Sequence, residues 1–153
     1  MSTGTAQQAY TIKEAASLTG LPASTLRYYE SIGVIPPVSR GASSKHRVYD
    51  ESDLDQIMWV ACLAATGMSV RNMKKYVANG RLGASAAREQ VELLTGQQRR
   101  LALESEHIAL RQRYVALKID YWHATDAGDR ARAELLSGEA RKLADDLKRS
   151  SKH

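Results

Sequence analysis

The chain has 153 residues, 43% of them hydrophobic and 25% charged, and its 22 Lys and Arg against 17 Asp and Glu give a net charge of +5. This composition indicates a folded protein with an acidic partner such as nucleic acid. It excludes a membrane span and a disulfide framework, because no apolar run approaches the roughly 20 residues that cross a bilayer and there is one cysteine, so we expect a cytoplasmic protein.

The first elements in chain order form a predicted helix-turn-helix. Residues 1–10 are polar, with no signal-peptide pattern, and we expect a flexible tail there. A capping box from Thr11 to Glu14 begins the first helix, and Gly20 ends it. Pro22 suits the first turn of the second helix, which Gly33 ends. Two helices joined by a short segment that includes a glycine are typical of a helix-turn-helix.

A short β-ribbon and two further helices follow. Residues 46–49 alternate in character and predict a wing of two strands. Asp50 caps a third helix, which Gly67 ends. Ser69 caps a fourth helix, for which we expect an end at Asn79–Gly80.

Residues 84–123 are predicted to form one long helix that mediates dimerisation. Hydrophobic residues recur there at intervals of seven, the period of a coiled coil: Leu94, Leu101, Ile108, Val115 and Trp122. A second stripe lies roughly 200° around the helix and comprises Leu103, Leu110 and Leu117. We expect the first stripe to meet a second subunit and the other stripe to meet a DNA-binding domain. Residues 129–149 predict a final amphipathic helix.

The chain is therefore predicted to be mainly α, with a winged helix-turn-helix over residues 11–82. The second helix is the candidate reader of DNA, because Ser24, Arg27 and Tyr28 can project from one side of it. An arginine can bind guanine O6 and N7 bidentately, and hydroxyl groups can reach phosphates. Basic residues cluster in the wing: Arg40, Lys45, His46 and Arg47.

Four motifs in this order resemble the MerR family of transcription regulators. They are Thr25-Leu26-Arg27-Tyr28-Tyr29-Glu30, Gly33-Val34-Ile35-Pro36-Pro37, Arg47-Val48-Tyr49 and Gly67-Met68-Ser69-Val70. The resemblance extends over roughly residues 10–80. It departs from the family at Lys45, where a glycine is usual two residues before the arginine of the wing.

The resemblance implies partners and a mechanism. Members of the MerR family form homodimers through an antiparallel coiled coil and bind double-stranded promoter DNA with an overlong spacer. They distort this DNA, which realigns the promoter elements for RNA polymerase. It also implies that Arg71 and Lys74 grip flanking phosphates. With the residues above, the predicted DNA-binding set is Ser24, Thr25, Arg27, Tyr28, Arg40, Lys45, Arg47, Tyr49, Arg71 and Lys74.

Cys62 is the candidate sensor. Its surroundings, from Trp59 to Ser69, resemble a MerR branch that responds to aldehydes and other electrophiles through a cysteine at this position. An adduct there is expected to enlarge a side chain at a packed helix junction. The alternative is a small residue buried in the third helix, since free cysteine packs well.

Other function classes are disfavoured. The histidines are dispersed and the single cysteine has no ligand partner at metal spacing, so no metal site and no cofactor is expected. The sequence shows no catalytic constellation and no phosphate-binding glycine loop, which argues against an enzyme. A constitutive DNA-bending dimer without an inducer remains the alternative to an inducible regulator.

Overall fold

A computed structural model describes residues 8–151 of the chain, and the architecture is mainly α, as predicted. The elements are α1 Ile12–Thr19, α2 Ala23–Ser31, β1 Ser39–Arg40, β2 Arg47–Val48, α3 Glu51–Ala65, α4 Val70–Leu82, a 3-10 turn Gly83–Ala86, α5 Ala87–Asp126 and α6 Arg130–Ser150. The chain forms two compact units, one ending at Leu94 and the other beginning at Thr95.

The predicted tail over residues 1–10 is only partly within the described chain. Residues 1–7 lie outside the described residues. Tyr10 forms an antiparallel bridge with Tyr49, with N···O distances of 2.8 and 2.9 Å in the two directions. The tail prediction is therefore wrong at Tyr10, because paired backbone groups hold this residue beside the wing.

The predicted helix starts are confirmed by their caps. The Thr11 side chain accepts a hydrogen bond from the Glu14 N–H, and the Glu14 carboxylate accepts one from the Thr11 N–H. Asp50 and Asp53 form the same reciprocal arrangement at the start of α3, and Ser69 caps α4. Each cap satisfies amide groups that the first helical turn leaves without a partner.

The end of the fourth helix differs from its prediction. Helix α4 continues through Asn79–Gly80 to Leu82, and Gly83 follows with a φ of 62°. A glycine inside a helix costs only about 1 kcal/mol relative to alanine, so Gly80 does not have to end it. The helix ends three residues later instead, at Gly83, whose φ of 62° and ψ of −132° form a conformation that glycine adopts readily.

The first unit has one hydrophobic core between its helices and the wing. Its largest fully buried side chains are Tyr49, Leu26, Ile57, Met73, Val34 and Val60. They come from α2, α3, α4 and the segments beside the wing. This shared core fixes α2 against the wing, and so positions the basic side chains described below.

In the second unit, α6 packs against the C-terminal part of α5. The turn between them contains Gly128 with a φ of 73°, and Asp129 caps α6. Leu117 and Tyr121 of α5 pack against a buried cluster of Ala124, Ala133 and Leu136. Helix α6 therefore partly covers Leu117 of the second stripe, and that this stripe meets a DNA-binding domain stays a prediction. Across residues 8–151, no helix has both the length and the apolar character to cross a membrane.

Candidate nucleic-acid interface

Helix α2 divides into a buried face and a polar exposed face. Leu26 and Tyr29 point into the core, which leaves Ser24, Arg27 and Tyr28 exposed at helical spacing. The predicted reading residues thus share one face of α2. The remaining predicted residue of this helix, Thr25, is half-buried.

The wing is a two-stranded antiparallel ribbon. Arg40 lies opposite Arg47, and Ser39 lies opposite Val48. The Gly41 N–H donates to the His46 carbonyl at 2.9 Å and closes the turn. Lys45 has a φ of 58°, the left-handed conformation that favours glycine. The departure from the family pattern therefore leaves the glycine-like backbone in place and adds an exposed cation at the wing tip.

Glu30, near the C-terminal end of α2, lies at the centre of the basic wing. Its Oε1 accepts a hydrogen bond from Arg47 Nε at 2.6 Å and lies 3.9 Å from Arg40 Nη2. Its Oε2 accepts from the Val38 N–H at 3.1 Å. Burial disfavours the carboxylate, but these hydrogen bonds and the two guanidinium charges outweigh it, so the pKa of Glu30 lies below its ordinary value of 4.5.

Two predicted DNA contacts need revision on this geometry. Tyr49 is 1% exposed and packs in the core, so its assignment as a DNA contact is corrected to a core residue. Its burial raises the pKa of the phenol. Arg47 has 20% of its side chain exposed, and its Nε is occupied by Glu30. Glu30 belongs to the sequence motif of α2, but sequence reasoning gave it no role. An acidic side chain near the C-terminal end of a helix is disfavoured by the helix dipole, and this unfavourable position could have indicated a basic partner.

Helix α4 supplies the accessory cations. Arg71 and Lys74 are both exposed. Lys74 also lies over Gly33 at the end of α2, since a Cβ placed on Gly33 would be 3.5 Å from Lys74 Cε. Lys74 is therefore close enough to α2 to add positive charge beside the candidate reading helix.

Cys62 is exposed on α3. Met58 and Trp59, one turn earlier on the same helix, are also exposed. The expectation of a thiol at a packed helix junction is therefore wrong within this chain, because Cys62 is neither buried nor covered by the core. In residues 8–151, no group of three or more His, Cys, Asp and Glu side chains could hold a metal ion.

The predicted dimerisation residues are exposed along α5. We refer to these five residues as the α5 seam, and their exposed fractions lie between 40% and 64%. They are Leu94, Leu101, Ile108, Val115 and Trp122. A lone helix would leave this apolar stripe in water, which is unfavourable.

Comparison with known proteins places this arrangement among helix-turn-helix regulators. Residues 10–80 match the MerR HTH family regulatory proteins. The chain is 36% identical over 90 residues to the HTH-type transcriptional regulator AdhR of Bacillus subtilis, covering 59% of this chain and 64% of that protein. It is 32% identical to the "Probable heavy metal-dependent transcriptional regulator" of Haemophilus influenzae, covering 83% of this chain and 96% of the relative.

A solved structure supports the same grouping. The crystal structure of HiNmlR, a MerR family regulator that lacks the sensor domain and is bound to promoter DNA, superposes with a TM-score of 0.63 and 25% identity. The superposition covers 78% of this chain and 94% of that one. Against two of its curated relatives, the chain spans only 51% and 64% of their length.

Proposed function

The chain belongs to the MerR family of helix-turn-helix regulatory proteins, and from this premise we propose that it binds promoter DNA as a homodimer and distorts the promoter spacer. The observation that carries the proposal is the exposed face of α2 beside a basic wing. A helix with polar side chains on one face fits the major groove of B-DNA, where base edges are distinguishable. HiNmlR, with a similar fold, is bound to promoter DNA.

The proposal divides the basic side chains by task. Arg27, on the exposed face of α2, reads base edges, while Arg71 and Lys74 on α4 contact flanking phosphates. Phosphate contacts set register and affinity but carry no sequence information directly. The net charge of +5 favours association with a polyanion in general and does not depend on this division of roles.

Replacing Arg27 and Lys74 separately with Ala tests this division. Arg27→Ala should weaken binding to the operator by about 1–3 kcal/mol and flatten the discrimination against mutated operators, because a bidentate base contact is lost. Lys74→Ala should weaken binding to all DNA alike and reduce the salt slope by about one ion. Fluorescence anisotropy with operator and scrambled duplexes at several salt concentrations measures both quantities.

Lys75→Ala is the matched control for Lys74→Ala, because Lys75 is the adjacent exposed lysine of α4. Lys75→Ala removes the same charge as Lys74→Ala, but it leaves in place Lys74, the lysine that lies over Gly33. An unchanged ratio of operator to scrambled affinity in Arg27→Ala would contradict the assignment of Arg27 as the reading residue.

The regulatory step we propose is shape control of the promoter. A dimer that contacts two half-sites can offset the energy needed to bend and untwist the spacer between them. Distortion would realign the promoter elements for RNA polymerase. A constitutive DNA-bending dimer is the alternative, and it would give equal promoter output with and without an inducer.

The trigger we propose is modification of Cys62. Its exposed position on α3 supports the proposal, because an electrophile can reach the thiol without prior unfolding. Conjugate addition of the thiolate to the β-carbon of an unsaturated aldehyde forms a thioether, and the α-carbon then takes a proton from water. No oxidant or metal is required.

Cys62→Ser should retain operator binding but lose the transcriptional response to unsaturated aldehydes. The wild-type response should be at least about fivefold, the lower end of typical coupling between two sites. A promoter-reporter assay measures the response, and intact-protein mass spectrometry should show an adduct in the wild type alone. A full response by Cys62→Ser would show that the inducer acts elsewhere or that Cys62 has no sensory role.

A further inference from the structure

We propose that Glu30 is a positioning residue for DNA binding, holding Arg47 through Nε so that the Nη groups of Arg47 serve a DNA phosphate. The inference rests on the proposed function and adds a residue to it. Arg47 was predicted to contact DNA independently; in this proposal its contact depends on the ion pair with Glu30 of α2.

One carboxylate joins the candidate reading helix to both strands of the wing. Glu30 stands near the C-terminal end of α2. It accepts hydrogen bonds from Val38 just before β1 and from Arg47 on β2, and it forms an ion pair at 3.9 Å with Arg40 on β1. Only 11% of the Glu30 side chain is exposed. A largely covered acceptor with two hydrogen-bond donors orients them more strictly than an exposed ion pair does.

The charges around Glu30 require such an acceptor. Arg40 and Arg47 face each other across the ribbon, and like charges directly opposite one another are destabilising. The carboxylate of Glu30 lies within ion-pair distance of both guanidinium groups and offsets their repulsion. Without Glu30, the core would still hold the wing against α2, but the two guanidinium groups would separate and Arg47 would lose its fixed orientation.

Arg47 is suited to a double role because of the shape of its guanidinium. The contact with Glu30 engages Nε, and the remaining N–H donors of a guanidinium are carried by its two Nη atoms. The side chain is partly exposed, so one edge of the group can face solvent while the other is held. A lysine at this position would bring a single ammonium, which cannot satisfy both partners in fixed geometry.

A positioning role and a purely electrostatic role of Glu30 predict opposite changes in DNA affinity when Glu30 is replaced. Removing an acidic charge beside a basic surface should tighten DNA binding if charge alone mattered. If Glu30 positions Arg47, the same change should weaken binding, because a phosphate contact is lost. The direction of the change therefore decides between the two explanations.

The experiment compares wild type with Glu30→Gln on a duplex from the promoter of its own gene and on an unrelated duplex. Glu30→Gln should lower promoter affinity by about tenfold and reduce the slope of log K against log salt by about one unit. Asp55→Asn is the matched control, since it removes an exposed acidic charge from the same unit. It should leave affinity within about twofold of wild type or raise it.

The pH dependence of stability supplies a second readout. A carboxylate whose pKa is lowered in the folded state stabilises it above 4.5, and that contribution is lost as the pH falls through the folded pKa. The difference in free energy of unfolding between wild type and Glu30→Gln should therefore be largest above pH 4.5 and shrink below it. Asp53 on α3 also senses the Glu30 charge, and burial raises the pKa of Asp53. Arg40, Arg47 and Tyr49 are the other titratable groups coupled to Glu30.

Arg47→Lys keeps the proposal testable if Glu30→Gln folds poorly. This variant retains the positive charge, yet it should reduce the slope of log K against log salt by about one unit, as Glu30→Gln does. The positioning role would be overturned if Arg47→Lys binds with the affinity and salt slope of the wild type. It would also be overturned if folded Glu30→Gln binds DNA with an affinity equal to or higher than that of the wild type. Equal wild-type affinity for the promoter and unrelated duplexes would instead overturn the proposed function, and this inference with it.

Discussion

Replacing Leu101 and Ile108 together with Asp should convert the protein to monomers and abolish operator binding. Both residues belong to the α5 seam, and each is at least 40% exposed in one chain. Fully burying an exposed Leu or Ile side chain contributes about 1.5–3 kcal/mol, and at 40% and 44% exposure about 0.6–1.3 kcal/mol of this is left to be gained on dimerisation. Two substitutions in each of two subunits would therefore remove about 2.5–5 kcal/mol, or about a 70-fold to 5,000-fold change in the dimerisation constant, and the four introduced carboxylates add the cost of burying charge in the seam.

Sedimentation at micromolar concentration and anisotropy with operator DNA measure the two outcomes. Ala102→Asp with Ala109→Asp is the matched control, since both positions are exposed on α5 and each adjoins a seam residue. This pair introduces the same charges at the same spacing but outside the heptad seam, so dimers should persist. A wild-type chain that sediments as a monomer would contradict the proposed dimer.

Replacing Tyr49 with Ala should destabilise the first unit by about 3–5 kcal/mol, the usual cost of truncating a buried aromatic side chain. Tyr49 is 1% exposed and lies in the same buried cluster as Leu26 and Ile57. Small domains have a total stability of about 5–15 kcal/mol. At the lower end of this range the loss would leave a substantial fraction of the chain unfolded, and at the upper end it would lower the urea midpoint of a folded protein. Urea unfolding followed by circular dichroism measures the effect.

Tyr49→Phe separates packing from DNA contact. It keeps the buried ring and removes the hydroxyl group, so it should bind the operator within about twofold of wild type. Tyr28→Ala is the contrasting variant, since Tyr28 is 53% exposed on α2. It should leave stability nearly unchanged and weaken operator binding. Loss of operator affinity by a fully stable Tyr49→Phe would restore Tyr49 as a DNA contact.

The seam substitutions and the truncation of Tyr49 affect different levels of organisation. The α5 seam is an apolar surface that one chain leaves exposed, whereas Tyr49 is buried within a single chain. Substitution of the seam should therefore leave a folded monomer, while truncation of Tyr49 should destabilise the unit that carries α2. Comparing the circular dichroism of the two variants distinguishes lost assembly from lost folding.

Local sequence signals determined most of the helix boundaries in this protein. The caps at Thr11, Asp50 and Ser69 depend on side chains within one turn of the amides that they bind, so sequence spacing alone predicts them. The seven-residue recurrence in α5 is likewise a property of sequence and helix geometry. The end of α4 was less predictable, because Gly80 is tolerated inside a helix and Gly83 competes with it as the terminator.

The roles of the side chains near the candidate interface depended on tertiary structure. Tyr49 and Arg47 lie two residues apart in one motif, but packing buries the first and Glu30, 17 residues before Arg47, engages the second. Burial and ion pairing arise between elements that are distant in sequence, so no local pattern contains them. The sequence by itself determined which residues form α2 and the wing; only the packed core decided that Glu30 joins them and that Cys62 lies exposed on α3.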